Sequence, residues 1–311
     1  MENINIVIAS DNNYAQHLGI AIISVLENND TKENLIFHIL DNGISGEQKE
    51  KIISIEKKYQ TKIIFYKIDA SLLNNLPEIG HLTKATYLRL FITEILPSDI
   101  NKIIYLDCDL IILKNIKELY YQDLKQFSLA AIRDVKAKEI LRIYFYPGLK
   151  SYFNAGVLLI NLQAWREKDI ISQFLKFLDN YKNEISTADQ DILNCLFKDD
   201  WLEINNKFNL DLKHQPINAL PKQETVILHY SDKIKPWSYF YCGKNKKYYF
   251  KYLANSPWAD FKYKDKNLKN AIKKYLTAIN KTIRNILRPL VPNSLIDWNK
   301  KKFLKNQIKF L

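Results

Sequence analysis

The first 107 residues alternate between short apolar runs and amphipathic stretches, and this alternation limits the folds open to the chain. Four runs rich in β-branched residues predict buried strands at residues 4–10, 35–41, 62–69 and 102–107. Apolar residues at helical spacing predict helices at residues 14–27, 46–60 and 86–95. This order predicts an α/β fold with a mostly parallel sheet covered by helices. Ligands of such sheets bind beyond the carboxyl ends of the strands, where Ser10, Asp11 and Asp107 lie.

The second half of the chain has a more mixed pattern. It predicts strands at residues 129–134, 153–161 and 225–230, and helices at residues 165–181 and 189–197. A length of 311 residues suffices for one large α/β domain with an appendage. We expect a boundary near Asp260, between a main domain at residues 1–260 and a tail at residues 261–311, because the charge balance changes there.

The net charge of +12 comes entirely from the tail. Residues 261–311 contain 14 Lys and Arg against 2 Asp and Glu, whereas the first 260 residues contain 32 basic and 32 acidic residues. The main domain therefore has no net excess of positive charge for nucleic acid, and no nucleic-acid-binding module is recognisable. We expect no nucleic-acid partner.

The tail has the pattern of a basic amphipathic helix. From Leu268 to Leu287 apolar residues recur along one helical face, and the basic residues off that face or at its margins are Lys269, Lys273, Lys274, Lys281 and Arg284. Such a helix, followed by further lysines and aromatic residues, predicts attachment of residues 268–311 to an anionic membrane surface. The alternative is a helix packed on the domain with its lysines in solvent.

Cysteine usage and the N-terminal sequence indicate a compartment. Cys108, Cys195 and Cys242 are odd in number and lack paired spacing, which predicts a reducing environment. The apolar stretch at residues 4–10 runs directly into polar residues, so a signal peptide is not expected. No apolar run approaches the ~18–20 residues that span a bilayer. We expect a cytoplasmic protein, in solution or on the membrane surface.

Asp107 and Asp109 are the strongest chemical signal. Two carboxylates at positions i and i+2 of a strand point to the same face, so they can converge on a hard cation such as Mn²⁺ or Mg²⁺. A strand-end turn with two solvated aspartates is the alternative. His229 ends another apolar run and would complete a mixed nitrogen and oxygen site that favours Mn²⁺, although a lone histidine at a strand end is more often a core residue than a ligand. Lys235 could contact a phosphate, and Trp237 could pack or stack on a sugar.

Two helical segments contain further polar residues. Thr86 and Arg89 lie three residues apart on one helical face, where Arg89 needs a buried anion or a route to solvent. Asp189, Gln190 and Asp191 open a predicted helix. For these three residues, capping of the helix N-terminus is the simplest interpretation from the residues alone.

Seven stretches in a fixed order carry a resemblance to a known family. They are IVIASDNNYAQHLGIAIISV, FHILDNGIS, ATYLRL, IIYLDCDLIIL, YFNAGVLLINLQAWR, ADQDILN and HYSDKIKPW, within residues 4–237. This set resembles glycosyltransferase family 8, most closely its bacterial branch of lipooligosaccharide and lipopolysaccharide galactosyl- and glucosyltransferases. The resemblance implies a single GT-A catalytic domain, expected at residues 1–260. It also implies transfer from a UDP-sugar to a saccharide or lipid-linked saccharide, with the α configuration retained.

The resemblance also assigns roles to residues. The implied metal ligands for Mn²⁺, with Mg²⁺ as the alternative ion, are Asp107, Asp109 and His229. The implied substrate-binding residues are Ala9, Asp11, Asn13, Tyr14, Thr86, Arg89, Asp107, Cys108, Asp134, Asn154, Ala155 and Lys235. Tyr14 would stack on uracil and Lys235 would bind the diphosphate, while His81 would lie near the same pocket. Gln190 and Asp189 would be the catalytic residues.

The mechanism and some positions stay open at this stage. Retention could proceed by front-face displacement or through a protein nucleophile, and the resemblance places Gln190 at the position of that nucleophile. We expect the front-face route because the amide of Gln190 is a poor nucleophile, and Asp189 is then a sugar-hydroxyl ligand or a reserve nucleophile. Asp232 departs from the glycine of many relatives and would repel a diphosphate unless it points away. Two other classes are a nucleotidyltransferase, whose Gly-rich loop is not seen here, and a nucleic-acid-binding protein that uses the tail.

Overall fold

The computed structural model describes residues 3–68, 84–134, 148–181, 189–216, 218–272 and 274. The strands in these residues are β1 Ile4–Asp11, β2 Leu35–Asn42, β3 Lys62–Lys67, β4 Lys102–Leu106, β5 Leu110–Ile112, β6 Leu129–Ala131, β7 Val157–Asn161, β8 Trp201–Glu203, β9 Leu210–Asp211 and β10 Ile227–His229. The α-helices are α1 Ala15–Glu27, α2 Gly46–Tyr59, α3 Ile92–Ile95, α4 Lys117–Tyr120, α5 Leu162–Glu167, α6 Ile170–Tyr181, α7 Asp189–Leu196 and α8 Lys246–Leu253. Short 3₁₀ helices occur at Lys32–Asn34, Lys84–Phe91, Asn206–Phe208 and Leu212–His214.

The strands form two sheets. The larger has the order β3-β2-β1-β4-β7-β6-β8, and the smaller has the order β5-β10-β9. In the larger sheet β1 pairs in parallel with β2 and β4, β2 with β3, and β6 with β8, whereas β7 is antiparallel to β4 and β6. The predicted α/β fold with a mostly parallel sheet is confirmed. Since β7 runs the other way, its amino end meets the carboxyl ends of β1 and β4 at one edge.

Alternating side chains bury both faces of the larger sheet. Ile6 and Ile8 of β1 belong to a core cluster that includes residues of α1, α2 and α8. Val7, between them, belongs to a second cluster that includes residues of the 3₁₀ helix Lys84–Phe91 and of α5, α6 and α7. All three side chains have 0% exposure. This arrangement explains why the strands read as continuous apolar runs.

Two predicted elements are divided in the structure. The predicted helix at residues 165–181 is two helices, α5 and α6, because Asp169 adopts a left-handed φ of 46° and its carboxylate accepts a hydrogen bond from Ser172 N at the start of α6. The predicted strand at residues 153–161 begins only at Val157, because Asn154 Oδ1 accepts a hydrogen bond from Gly156 N and makes a turn. The predicted α-helix at residues 86–95 is mostly the 3₁₀ helix.

The chain divides into two compact units. The larger contains residues up to Trp237 and Tyr241–Phe261, and the smaller contains Ser238–Phe240 and residues from Lys262 onward. In the smaller unit, Asp265 accepts hydrogen bonds from Ser238 Oγ at 2.7 Å and from Tyr239 N at 2.9 Å. Among the helices in the described part of the chain, none is long and apolar enough to cross a membrane.

Candidate active site

Asp107 and Asp109 lie on the link between the two sheets. Asp107 follows the last residue of β4, and Asp109 precedes the first residue of β5. The backbone holds both positions, because Asp107 N donates to Gly156 O at 2.9 Å and Tyr230 N donates to Asp109 O at 2.9 Å. The link bends at residues 108–109 and is not the straight strand assumed from the sequence. The two carboxylates nevertheless converge.

His229 is the third member of this group. It ends β10, and the pairing of β10 with β5 aligns it with Leu110, next to Asp109. His229 Nε2 lies 3.2 Å from Asp109 Oδ1 and 3.9 Å from Asp107 Oδ2. One ligand atom from each of the three residues lies within 4.8 Å of the others. Two carboxylates and an imidazole form a donor set that suits a divalent transition metal.

The other face of the imidazole fits this use as a ligand. His229 Nδ1 lies 2.9 Å from Asn209 Oδ1, an oxygen that can only accept a hydrogen bond. Nδ1 therefore carries a proton, and in the neutral ring Nε2 keeps its lone pair for a cation. Metal-bound histidines are held in this way by an acceptor at the second ring nitrogen.

Lys235 places a positive charge against Asp109. Its ammonium group lies 2.5 Å from Asp109 Oδ2 and donates to Tyr230 O at 2.8 Å. Burial favours a raised pKa for Asp109, but the charges of Lys235 and then His229 outweigh it and lower that pKa. Burial in turn would lower the pKa of His229, and the negative charge of Asp109 raises it. Asp109 is therefore ionised and ready to bind a cation.

Arg89 connects the metal-binding side of the pocket with the helix α7. Its Nη2 lies 2.8 Å from Asp107 Oδ1, its Nε lies 2.7 Å from Asp189 Oδ2, and its Nη1 donates to Ala155 O. Burial alone would lower the pKa of Arg89, but the charges of Asp107 and Asp189 raise it. Of the two alternatives that the sequence left for Arg89, the anionic partner is the one found: the buried Asp189 and the partly buried Asp107.

Asp189 and Gln190 do more than begin a helix. Asp189 pairs with the arginine, and Gln190 Oε1 accepts a hydrogen bond from Ala155 N at 3.1 Å. Asp191 accepts a hydrogen bond from Tyr152 Oη at 2.6 Å, away from the pocket lining. Helix capping was the simplest interpretation of the sequence, but it does not account for the ion pair of Asp189 or for the hydrogen bond of Gln190.

The carboxyl end of β1 forms another wall of the pocket. Asp11 Oδ1 accepts a hydrogen bond from Tyr14 N at 3.0 Å, which fixes the turn before α1. Burial, and next the negative charge of Asp109, raises the pKa of the Tyr14 hydroxyl. Cys108 Sγ donates to Ala9 O at 3.1 Å and ties this strand to the aspartate link. The ring of Tyr14 is a half-buried aromatic surface beside the metal-binding group.

One pocket brings together most of the residues expected from the sequence. Those that line it are Ala9, Asp11, Tyr14, Arg89, Asp107, Cys108, Asp109, Asp134, Asn154, Ala155, Asp189, Gln190, His229 and Lys235. Asn13 is exposed and does not line it. The side chain of Thr86 and the whole of His81 lie outside the described residues. The roles of all these residues remain predictions.

The sequence left alternatives open for Trp237 and Asp232, and neither residue lines the pocket. Trp237 packs: it stacks on the ring of His17, with centroids 3.5 Å apart and planes 14° apart, and it does not line the pocket. Asp232 is exposed, and its carboxylate accepts a hydrogen bond from Lys233 N at 2.7 Å. Asp232 is absent from the residues that line the pocket.

Sequence reasoning missed several residues of the lining, namely Tyr105, Gly156, Asp211, Lys213 and Ser231. Among them, Gly156 is the residue whose identity the structure explains most clearly. Any larger residue would clash, because a Cβ there would lie 2.3 Å from His229 Cε1 and 2.8 Å from Asp107 Oδ2. Asp211 comes from the two-residue strand β9, which is too short to recognise by its pattern. Its carboxylate accepts hydrogen bonds from Ser231 Oγ and Lys213 N.

The fold has counterparts among solved structures. The solved galactosyltransferase LgtC, in complex with donor and acceptor sugar analogs, is 29% identical with a TM-score of 0.72, over 82% of this chain and 96% of that one. The fold is therefore the GT-A fold of sugar transferases. The model of glycosyl transferase family 8 matches residues 5–240, and the chain belongs to this family. Family membership does not favour the nucleotidyltransferase or nucleic-acid-binding alternatives.

Two lipopolysaccharide enzymes are among the curated relatives, and their sequence identity to this chain is similar to that of LgtC. The lipopolysaccharide 1,3-galactosyltransferase of Salmonella typhimurium is 30% identical over 83% of this chain and 80% of its own length. The lipopolysaccharide 1,2-glucosyltransferase of Escherichia coli is 29% identical over the same shares. These two relatives transfer different sugars, according to their names.

Proposed function

We propose that this glycosyltransferase moves galactose or glucose from a UDP-sugar to a saccharide acceptor and retains the α configuration. The observation that carries the proposal is a single pocket lined by Tyr14, by the group Asp107, Asp109 and His229, and by Gln190. A nucleoside diphosphate sugar has a base, a charged diphosphate and a sugar in that order. The pocket offers one feature for each of these parts: an aromatic ring for the base, a cation site for the diphosphate and a polar wall for the sugar.

The proposed cation is Mn²⁺, with Mg²⁺ as a second candidate, because the donor set mixes imidazole with carboxylates. Bound there, the metal would neutralise the diphosphate as it leaves. Lys235, held at 2.5 Å from Asp109, would supply a further positive charge to the phosphates. Asp11 and Tyr14, with Ala9, Asn13 and Cys108, would bind the uridine end.

The sugar is proposed to lie against the wall formed by Arg89, Asp134, Asn154, Ala155 and Gln190, with Thr86 nearby. Asp189 is held by the buried guanidinium of Arg89, and the amide oxygen of Gln190 is occupied by Ala155 N–H. Both contacts make these groups poor nucleophiles. We therefore favour front-face displacement.

In front-face displacement the acceptor hydroxyl oxygen forms the new bond to the anomeric carbon on the side from which UDP departs. The bond between that carbon and the β-phosphate oxygen breaks, and the hydroxyl proton passes to the departing phosphate. Gln190 would stabilise the positive charge that develops on the sugar. A covalent sugar on Asp189, trapped and found by mass spectrometry, would contradict this mechanism.

The proposed acceptor is a lipopolysaccharide or lipooligosaccharide core, as in the relatives whose names state one. Such an acceptor is lipid-linked, so we propose a location on the cytoplasmic face of a bacterial inner membrane. Residues 268–311 would attach the protein there. Exposed apolar side chains at Leu268 and Ile272, 79% and 53% accessible, support this surface, since they begin the apolar stripe of the tail.

The decisive experiment is slow hydrolysis of UDP-sugars in the presence of Mn²⁺, with UDP-galactose, UDP-glucose and other UDP-hexoses compared side by side. The wild-type protein is expected to release UDP from one of them, and Asp109→Asn is expected to abolish this release. Asp232→Asn is the matched control, because it removes a nearby aspartate outside the pocket lining. Failure to hydrolyse any UDP-hexose would contradict the proposed function.

A further inference from the structure

Asn209 is a buried side chain that the proposed reaction does not use directly. It precedes β9, has 0% exposure and does not line the pocket. Its amide lies between two residues that do line the pocket, His229 and Asn154. Oδ1 of Asn209 is 2.9 Å from His229 Nδ1, and Nδ2 of Asn209 donates to Asn154 Oδ1 at 2.9 Å.

The orientation of the Asn209 amide follows from its neighbours. Asn154 Oδ1 also accepts a hydrogen bond from Gly156 N at 2.9 Å, so Asn154 presents its oxygen to both partners. Asn209 must then place its NH₂ group against Asn154 and its oxygen against His229. A buried amide is costly to leave unpaired, and this arrangement uses both of its ends.

We infer that Asn209 is a positioning residue that fixes His229 as an Nε2 ligand of a divalent cation. Its oxygen requires a proton on Nδ1, and the same hydrogen bond sets the rotation of the ring toward Asp107 and Asp109. Gly156 packs against the ring and leaves no room for a Cβ. The inference rests on the metal site of the proposed function, but it concerns the residue that prepares that site.

The same amide also joins the metal ligand to the opposite wall of the pocket. Asn154 is followed by Ala155, whose N–H donates to Gln190 and whose oxygen accepts from Arg89. A substitution that preserves one end of Asn209 and changes the other can therefore separate the two contacts. Asn209→Asp keeps an acceptor for His229 Nδ1 and loses the donor to Asn154, while Asn209→Leu loses both.

The test measures binding of Mn²⁺ alone to the full-length protein by isothermal titration calorimetry, without donor or acceptor. Asn209→Leu is expected to weaken Mn²⁺ binding by about 10-fold or more, the usual loss when a partner of a metal-bound histidine is removed. Asn209→Asp is expected to stay within a few-fold of wild type. Asn29→Leu is the matched control: Asn29 is buried, lies beyond the end of α1, and accepts from Ile116 N.

A second measurement follows the ring nitrogens of His229 by ¹⁵N NMR in the metal-free protein at alkaline pH. The Nδ1–H form is expected in wild type and in Asn209→Asp, and a mixture of both forms in Asn209→Leu. A purely structural role would leave the tautomer unchanged.

Three outcomes would overturn the inference. The first is wild-type Mn²⁺ affinity in a folded Asn209→Leu protein, and the second is an equal loss in Asn209→Asp. The third is an equal loss in the control Asn29→Leu. If the wild-type protein itself binds no Mn²⁺, the metal site of the proposed function fails, and the role of Asn209 fails with it.

Discussion

Arg89 is the side chain on which the charge balance of the pocket depends most. It is 4% exposed and lies between the carboxylates of Asp107 and Asp189. Arg89→Met should lower the free energy of unfolding by about 3–5 kcal/mol, because it leaves the buried carboxylate of Asp189 and the partly buried carboxylate of Asp107 without their partner. Urea denaturation measures this loss. The double variant Arg89→Met with Asp189→Asn should recover part of it, since one uncompensated charge is gone.

A surface arginine provides the control for this prediction. Arg133 pairs with Glu203 at 2.9 Å, but the two side chains are 39% and 51% exposed. Arg133→Met should therefore cost less than about 1 kcal/mol. If both arginine variants unfold at the same urea concentration as wild type, the buried ion pairs contribute nothing to stability.

His38 gives the fold a dependence on pH that is separate from the site. Burial, with the nearby charge of Lys62, lowers the pKa of His38 from 6.5 to about 4. The neutral ring bridges Tyr66 Oη and Asn5 Oδ1, each at 3.0 Å. Because the folded protein holds fewer protons than the unfolded chain between these two pKa values, stability falls as the pH drops from 6.5 toward 4.

The change at His38 can be measured by urea unfolding at pH 7 and pH 4.5. From this group alone the free energy of unfolding should fall by about 2 kcal/mol over that interval. Glutamine does not titrate, so the free energy of unfolding of His38→Gln should fall by about 2 kcal/mol less than that of wild type over the same interval. Equal falls in the two proteins would show that His38 is not the source.

The segment that includes Asn154, Ala155 and Gly156 shows what a sequence pattern misses. The sequence pattern predicted a strand from residue 153, yet the hydrogen bond from Gly156 N to Asn154 Oδ1 delays the strand to Val157. The turn is what places Ala155 between Arg89 and Gln190. Periodicity reports burial, and it cannot report a side chain that bonds to its own backbone.

Elements with strong periodicity were predicted well. The strands β1, β2 and β4 and the helices α1 and α2 lie within a few residues of their predicted positions, because the strands are continuous apolar runs and the helices have apolar residues at helical spacing. The predicted group Asp107, Asp109 and His229 converges because two strand ends meet. The partners of these residues come from distant, short elements such as β9, and no local pattern in the sequence points to them.

A substitution at Gly156 tests how the turn supports the candidate metal site formed by Asp107, Asp109 and His229. A Cβ at this position would collide with the imidazole of His229, which is only 3% exposed and has little room to shift. Gly156→Ala should therefore displace the ring and weaken Mn²⁺ binding by at least about 10-fold. Calorimetry with Mn²⁺ alone checks this prediction.

The control for Gly156 is a glycine with open space around it. Gly46 is the first residue of α2, and a Cβ there would meet no atom within 4 Å. Gly46→Ala should leave Mn²⁺ binding unchanged and keep or slightly raise stability. Unaltered Mn²⁺ binding in Gly156→Ala would show that the ring tolerates the extra methyl group.

The charges of the chain are divided between its parts. The first 260 residues are neutral overall, and the excess of +12 belongs to residues 261–311. A neutral catalytic part avoids nonspecific attraction to polyanions, and a basic, amphipathic tail would meet anionic lipid. This division could be read from the sequence, because charge counting needs no fold. The attachment itself is still a prediction.

Membrane attachment is tested by sedimentation with vesicles of phosphatidylglycerol and phosphatidylethanolamine. Deletion of residues 268–311 should abolish binding. A full-length variant carries Gln in place of Lys269, Lys273, Lys281 and Arg284. It should bind at least about a hundredfold more weakly than wild type, since each basic residue near the lipid contributes about 1 kcal/mol. Lys274 is left in place because its ammonium group lies 4.2 Å from the centre of the Tyr239 ring.

The matched control changes four exposed lysines of the larger unit to Gln, and these are Lys57, Lys114, Lys198 and Lys222. It removes the same charge as the tail variant and should bind the vesicles much more tightly than that variant. High salt should weaken the binding of wild type and control alike, because the attraction is electrostatic. Similar losses in the two variants would mean that overall charge, and not the tail, drives attachment. Binding that survives the deletion would exclude residues 268–311 as the anchor.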